Sequence, residues 1–164
     1  MKRKLFIICP FSQMELYLQN KYGNEIYFIT APAAIVQWGQ KEYTDAVSDF
    51  IKRESIREIF LVNDVSCRFI DNIIHKEKLY GLYSEKILED IYIEHFFSHF
   101  KNNPSSEKKV KLAELNINYQ IEELMKSSAL GHYVLKDNIQ LKGLVTSKKE
   151  NLYKEINIKQ LQNT

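Results

Sequence analysis

The first sixty positions alternate short apolar runs with amphipathic stretches. Leu5 to Cys9 is a continuous apolar run stopped by Pro10, the pattern of a strand buried on both faces. Ser12 followed by Glu15 is a capping-box spacing and predicts a helix to about Tyr22. Gly23-Asn24 then turns the chain into a second strand, Glu25 to Thr30. The small-residue segment Ala31-Pro32-Ala33-Ala34 predicts an irregular loop. A helix from about Lys41 to Arg53 follows, with Ala46, Val47 and Phe50 on its inner face, and then a third strand, Glu58 to Val62. Short apolar strands separated by helical stretches predict an α/β fold, a mostly parallel β-sheet flanked by helices.

Beyond Cys67 the pattern is mainly helical. Phe69, Ile70, Ile73 and Ile74 recur at helical spacing, and Ser84 to Phe100 repeats it. Asn102 to Ser106 is a break, and a further helix is predicted over Glu107 to Lys126, carrying Leu112, Leu115, Ile117, Ile121 and Leu124. Ile139 to Val145 alternates as a fourth strand, and Asn151 to Ile158 supplies a short edge strand. Too little chain follows the break for a second core, so residues 1–164 are expected to form a single domain.

Composition narrows the function classes. The chain has 164 residues, 45% hydrophobic and 27% charged, ordinary proportions for a globular protein. Its 23 basic and 21 acidic residues leave a net charge of +2, so no general field favours nucleic acid. The run Lys108-Lys109-Lys111 reads as a solvated helix start, and the 12% aromatic residues have no basic stripe between them. The basic opening Met-Lys-Arg-Lys precedes an apolar run too short for a secretory signal or a membrane span. With only two cysteines, both beside expected core strands, a cytoplasmic location with reduced thiols is the expectation.

Those cysteines are the candidate chemistry. Open α/β sheets place ligands outside the carboxyl ends of their parallel strands. Cys9 closes the first strand, and Asn63-Asp64-Val65-Ser66-Cys67 follows the third. Two thiols and the Asp64 carboxylate are donor types that zinc accepts, and a three-ligand set leaves a fourth position for water. Buried core thiols are the alternative, because free cysteine is among the most buried residue types. His95 and His99 share one helix face at i, i+4 spacing, which also suits a metal or a solvent-facing or interface pair. No phosphate-binding glycine loop, nucleophile elbow or hydrolytic triad is present.

A wider pattern carries a resemblance. Cys9-Pro-Phe-Ser12-Gln13 is similar to the Cys-x-Asp-Ser-Arg motif of the β-class carbonic anhydrases. Leu61-Val62-Asn63-Asp64-Val65-Ser66-Cys67-Arg68 resembles their Val-Val-Gly-His-x-x-Cys-Gly. Ala46 to Val62 is similar to the family's helix and strand before that motif. Asn116-Ile117-Asn118-Tyr119-Gln120-Ile121-Glu122-Glu123-Leu124 resembles its Asn-Val-x-x-Gln-Val-x-x-Leu helix, and Ile139 to Val145 resembles its last strand. The matches run in order over residues 4 to 154.

The resemblance implies zinc held by the first Cys, the His and the second Cys, beside an Asp–Arg pair that orients or closes the site. Cys9 and Cys67 match. The His position holds Asp64, the pair's Asp is Phe11, its Arg is Gln13, and the Gly after the second Cys is Arg68. The family's Arg-Asn loop is Thr30-Ala31 here. Cys9, Asp64 and Cys67 are the implied zinc ligands, carrying one net negative charge with the metal, which makes bound water less acidic than neutral ligands would. The expectation is a carbonic-anhydrase-like protein that has lost efficient CO2 hydration and serves a binding or regulatory role, with a small anion as ligand. The alternative is an active zinc-dependent lyase or hydrolase on the same three ligands. The resemblance further implies a homodimer, with Trp38 as a candidate anchor.

Overall fold

In the computed structural model, which describes residues 1–156 and 158, five strands form one sheet ordered β2-β1-β3-β4-β5. They are β1 (Arg3–Ile8), β2 (Ile26–Thr30), β3 (Ile56–Asp64), β4 (Gln140–Ser147) and β5 (Leu152–Ile156). The first four are parallel, and β5 runs antiparallel on the edge. This is the predicted α/β architecture, a mostly parallel sheet flanked by helices. Of the predicted edge strand Asn151 to Ile158, Asn157 lies outside the described residues. The connecting helices are α1 (Glu15–Tyr22), α2 (Lys41–Arg53), α3 (Arg68–Ile74), α4 (Tyr83–Glu94), α5 (Ser105–Lys126) and α6 (Ser128–Lys136). Among the described residues no helix is long and apolar enough to cross a membrane.

Strand alternation sends successive side chains to opposite faces of the sheet. Leu5, Ile7, Ile59, Leu61 and Val145 lie on the face covered by α5 and its neighbours. Phe6, Ile8, Phe60, Val62 and Leu144 lie on the other, under Met14 and Leu18. Gly143 of β4 lets α5 approach closely, since a Cβ there would meet the Ile117 methyl at 2.6 Å. On the α1 side, Glu58 is buried between Lys4 and Lys142, each ammonium 3.0 Å from the carboxylate. Burial opposes the charge on Glu58, but hydrogen bonds from Lys142 and Lys4 outweigh it and hold the carboxyl below its ordinary range.

Local chemistry redirected two predicted elements and added one that was not predicted. Ser12 does not cap α1: its hydroxyl donates to the Cys9 carbonyl at 2.6 Å inside a 3-10 turn (Pro10–Ser12), and the helix starts at Glu15. The predicted helix Ser84 to Phe100 ends at Glu94 and continues as a π-helical turn, Phe96–Phe100. Helix α6 has no counterpart in the sequence reading. Gly131 weakens its helical pattern, yet a Cβ there would strike the Met125 carbonyl, so the glycine permits the tight α5–α6 corner.

Gly143→Ala is expected to destabilise the protein by about 1–3 kcal/mol through overpacking, whereas Gly39→Ala, with open space around its Cβ, should change little; urea unfolding midpoints distinguish them. For Glu58, the depressed folded pKa contributes stability above the unfolded carboxyl pKa near 4.5. That contribution is lost as pH falls through the lower folded value. Glu58→Gln should therefore flatten the acid limb of the stability profile measured by thermal unfolding.

Candidate functional site

Cys9 leaves β1 with extended backbone, φ −80° and ψ 130°, and Pro10 prevents the strand from continuing. Cys67 stands immediately before α3, after the turn in which its N–H donates to the Asp64 carbonyl at 2.9 Å. The sheet places these chain ends side by side, because β1 and β3 pair in register from Lys4–Glu58 to Ile7–Leu61. The two sulfurs lie 3.9 Å apart, both thiols free and buried. The Cys67 S–H points to the Cys9 sulfur, which also accepts the Ala33 N–H at 3.3 Å. That thiol bond lowers the Cys9 pKa to about 6 against the opposing effect of burial, with N–H groups of Phe11, Ala33 and Ser12 adding to it. Cys67 is driven the other way, by its bond to Cys9, by burial and by the neighbouring charge. The contact thus favours the charged form at Cys9 and the neutral form at Cys67.

Asp64 is close in sequence but differently directed. Asn63 and Asp64 are successive residues of β3, so their side chains go to opposite faces. Asn63 faces α5, where its amide donates to the Ala33 carbonyl at 3.0 Å and accepts from Asn116 at 2.7 Å. One oxygen of the Asp64 carboxylate accepts the Ser66 N–H at 2.9 Å and the Ser66 hydroxyl. The other accepts the Thr146 hydroxyl at 2.9 Å, and Thr146 also reaches the Met14 sulfur.

These donors meet only part of what zinc requires. Two thiolates on a tetrahedral zinc at about 2.3 Å stand about 3.8 Å apart, so the sulfur spacing suits such a pair. The third donor does not close the set. Among the described residues no group of three or more His, Cys, Asp or Glu side chains could hold a metal ion. The expected ligands Cys9 and Cys67 are thus brought together, while the Asp64 oxygens are engaged by Ser66 and Thr146. No histidine substitutes for them. His95 and His99 stack with ring centroids 5.6 Å apart at the π-helical turn, and burial, Lys111 and His95 lower the pKa of His99.

Two of the positions that depart from the resemblance, Phe11 and Arg68, contact each other. Phe11 is 57% exposed, lies edge-on to Phe69 with centroids 5.6 Å apart, and has the Arg68 guanidinium 5.6 Å over its ring. Gln13 has left-handed backbone, φ 51°, and its carbonyl accepts from Lys148. Trp38 lies inside the chain's own core: its indole N–H donates to Gln120 at 3.2 Å and it is 3% exposed, which removes it as a surface anchor.

Asn116 and Gln120, matched in the sequence to the family's helix but given no role there, hold the site's loop together with Asn63. Ala33 and Ala34 both have positive φ, 56° and 57°. Besides Asn63, Asn116 donates to the Ala33 carbonyl at 3.1 Å, and Gln120 accepts from Val36 N–H at 3.0 Å. The available signal was Asn116 and Gln120 at i, i+4 among Leu112, Ile117, Ile121 and Leu124, two amides on an otherwise apolar face.

The chain superposes over nearly its whole length on solved structures. The fold is that of the β-class carbonic anhydrases. A β-carbonic anhydrase described as CafA, from the fungal pathogen Aspergillus fumigatus, superposes with TM-score 0.80 at 16% identity, over 95% of this chain and 76% of that one. One of the structures of two tetrameric β-carbonic anhydrases from Sordaria macrospora gives TM-score 0.81 at 16% identity, covering 95% and 81%. A Coccomyxa β-carbonic anhydrase in complex with acetazolamide gives 0.72 at 14%, covering 94% and 72%. No protein-family profile and no curated protein matches the sequence.

For the thiol pair on this β-carbonic-anhydrase scaffold, the pKa shifts set a pH dependence. A Cys9 pKa lowered from 9.0 to about 6 means the unfolded chain binds more protons between those values. Stability of the metal-free protein should rise from about pH 6 to pH 9, and Cys67, shifted upward, should reverse the trend above that. Cys9→Ser should abolish the slope, measured by chemical unfolding across the range.

Proposed function

We propose that this protein keeps the carbonic-anhydrase fold, has lost efficient CO2 hydration, and acts in binding or regulation as a cytoplasmic homodimer. The observation that carries this reading is the state of Asp64. The carboxylate at the position of the family's histidine spends both oxygens on Ser66 and Thr146 and presents neither to the cysteines. Phe11 adds to it, since an aromatic ring at that position has no acceptor to orient a nucleophile. A small anion suits the surroundings of Arg68 and Lys148, the two cations near the departed positions. The assembly part draws support from the tetrameric Sordaria proteins of the same fold.

A second reading has one observation in its favour, the 3.9 Å sulfur spacing that suits a zinc-bound thiolate pair. In it Cys9, Asp64 and Cys67 hold zinc in an active lyase or hydrolase, and Asp64 must first leave Ser66 and Thr146. Metal content and CO2 hydration of protein purified without chelator separate the two. The first reading expects hydration at the uncatalysed background even after zinc loading, and measurable turnover would sink it. The second expects about one zinc per chain, lost together with activity in Asp64→Ala and Cys67→Ser. Light scattering of the purified chain tests the dimer.

A further inference from the structure

The chain's two cysteines sit in an arrangement that zinc binding alone does not account for. Their sulfurs are 3.9 Å apart, only 2% and 1% of each residue is exposed, and among the described residues no third His, Cys, Asp or Glu joins them as a metal ligand. One of the two sulfurs also anchors a strained loop, through the 3.3 Å bond from Ala33 N–H. We propose that Cys9 and Cys67 form a redox switch, oxidised by a hydroperoxide to an intrachain disulfide that releases the Ala31–Trp38 loop. The proposal rests on the reading of a site that no longer does hydration chemistry, because the same sulfurs cannot serve a bound zinc and a disulfide at once.

Closing the pair requires the sulfurs to approach from 3.9 Å to about 2.05 Å. The side chains hang from adjacent strand ends, so this is a matter of side-chain rotation and a small shift in the turns. Burial selects the oxidant, since a peroxide is small enough to reach sulfurs that a bulky disulfide reagent does not. Cys9 is the attacking sulfur, because it accepts hydrogen bonds from Ala33 N–H and Cys67 S–H and donates none. Its electron pair attacks one oxygen of the peroxide, the O–O bond breaks, and Cys9 becomes a sulfenic acid as hydroxide leaves. The Cys67 sulfur then attacks the sulfenic sulfur, the S–O bond breaks, and water leaves with the thiol proton. Overall two thiols are oxidised by two electrons, and hydrogen peroxide is reduced to two waters.

The coupling to the loop runs through the Cys9 sulfur. Closing the pair draws that sulfur toward Cys67, and a disulfide sulfur is a weaker hydrogen-bond acceptor than a free one, so oxidation removes the partner of the Ala33 N–H. Ala33 and Ala34 are held at φ 56° and 57°, a conformation that alanine leaves readily once its bonds go. Trp38, the chain's one tryptophan, lies at the far end of this loop and reports on it.

The test uses the full chain, stripped with a chelator and checked for zinc, then titrated with hydrogen peroxide. Samples are denatured, alkylated and weighed intact while Trp38 emission is followed. The expected product is a monomeric chain lighter by two hydrogens with neither thiol alkylated. It should form together with a red shift of Trp38 emission, and dithiothreitol should reverse both. Cys67→Ser should instead gain one oxygen. Two thiols that stay alkylatable, oxygen addition without a disulfide in the wild type, or an interchain link would overturn the switch. A disulfide with unchanged Trp38 emission would overturn its coupling to the loop. If the zinc-loaded chain hydrates CO2, the functional reading fails, while the stripped chain still decides the disulfide.

Discussion

The peptide groups flanking Ala33 are fixed from three directions: by the Cys9 sulfur, by Asn63 of β3, and by Asn116 of α5. Those contacts tie the end of β1, the end of β3 and the longest helix to one point of the loop. Two consecutive alanines in left-handed conformation cost roughly 1–2 kcal/mol each, and a loop on its own would relax out of them. The hydrogen bonds hold it there because each is buried, where an unmade bond costs about as much as the strain. The position of the Cys9 sulfur and the seat of α5 on the sheet therefore depend on the same small knot of amides.

That dependence also sets the donors that surround the Cys9 sulfur. A buried anion ordinarily requires a paired cation. At Cys9 the compensation comes from fixed dipoles: backbone N–H groups delivered by the turn after β1 and by the Ala33 loop, and the Cys67 thiol. Each of these donors is positioned by backbone geometry, so none has to be reorganised when the charge forms. The neighbouring cation, Arg68, is occupied at the surface over the Phe11 ring.

The sheet was legible because continuous apolar runs such as Leu5 to Ile8 and Ile59 to Val62 have few ways to be buried other than as central parallel strands. The pairing of Cys9 with Cys67 was legible for the same reason, as both close such strands. The direction of Asp64 was not drawn from spacing, although alternation along β3 contained it: with Leu61 facing α5, Asn63 must follow and Asp64 must oppose. The Ala33 loop was opaque, because nothing in Ala-Pro-Ala-Ala signals two positive φ angles. They are imposed from outside by Asn63 and Asn116, 30 and 83 positions from Ala33. Helix α6 was hidden by Gly131, whose role is clearance at a corner and not helix propensity.

The substitution at the histidine position then has a consequence beyond the loss of one ligand. A carboxylate there meets two hydroxyls and a backbone N–H within the reach of its own turn, Ser66 and across the sheet Thr146. Recruiting it to a cation would break a set of charge-assisted bonds, each stronger than a neutral one, and leave the buried Thr146 hydroxyl without its partner. Zinc at the two sulfurs would have to repay that loss to draw Asp64 in as a third ligand.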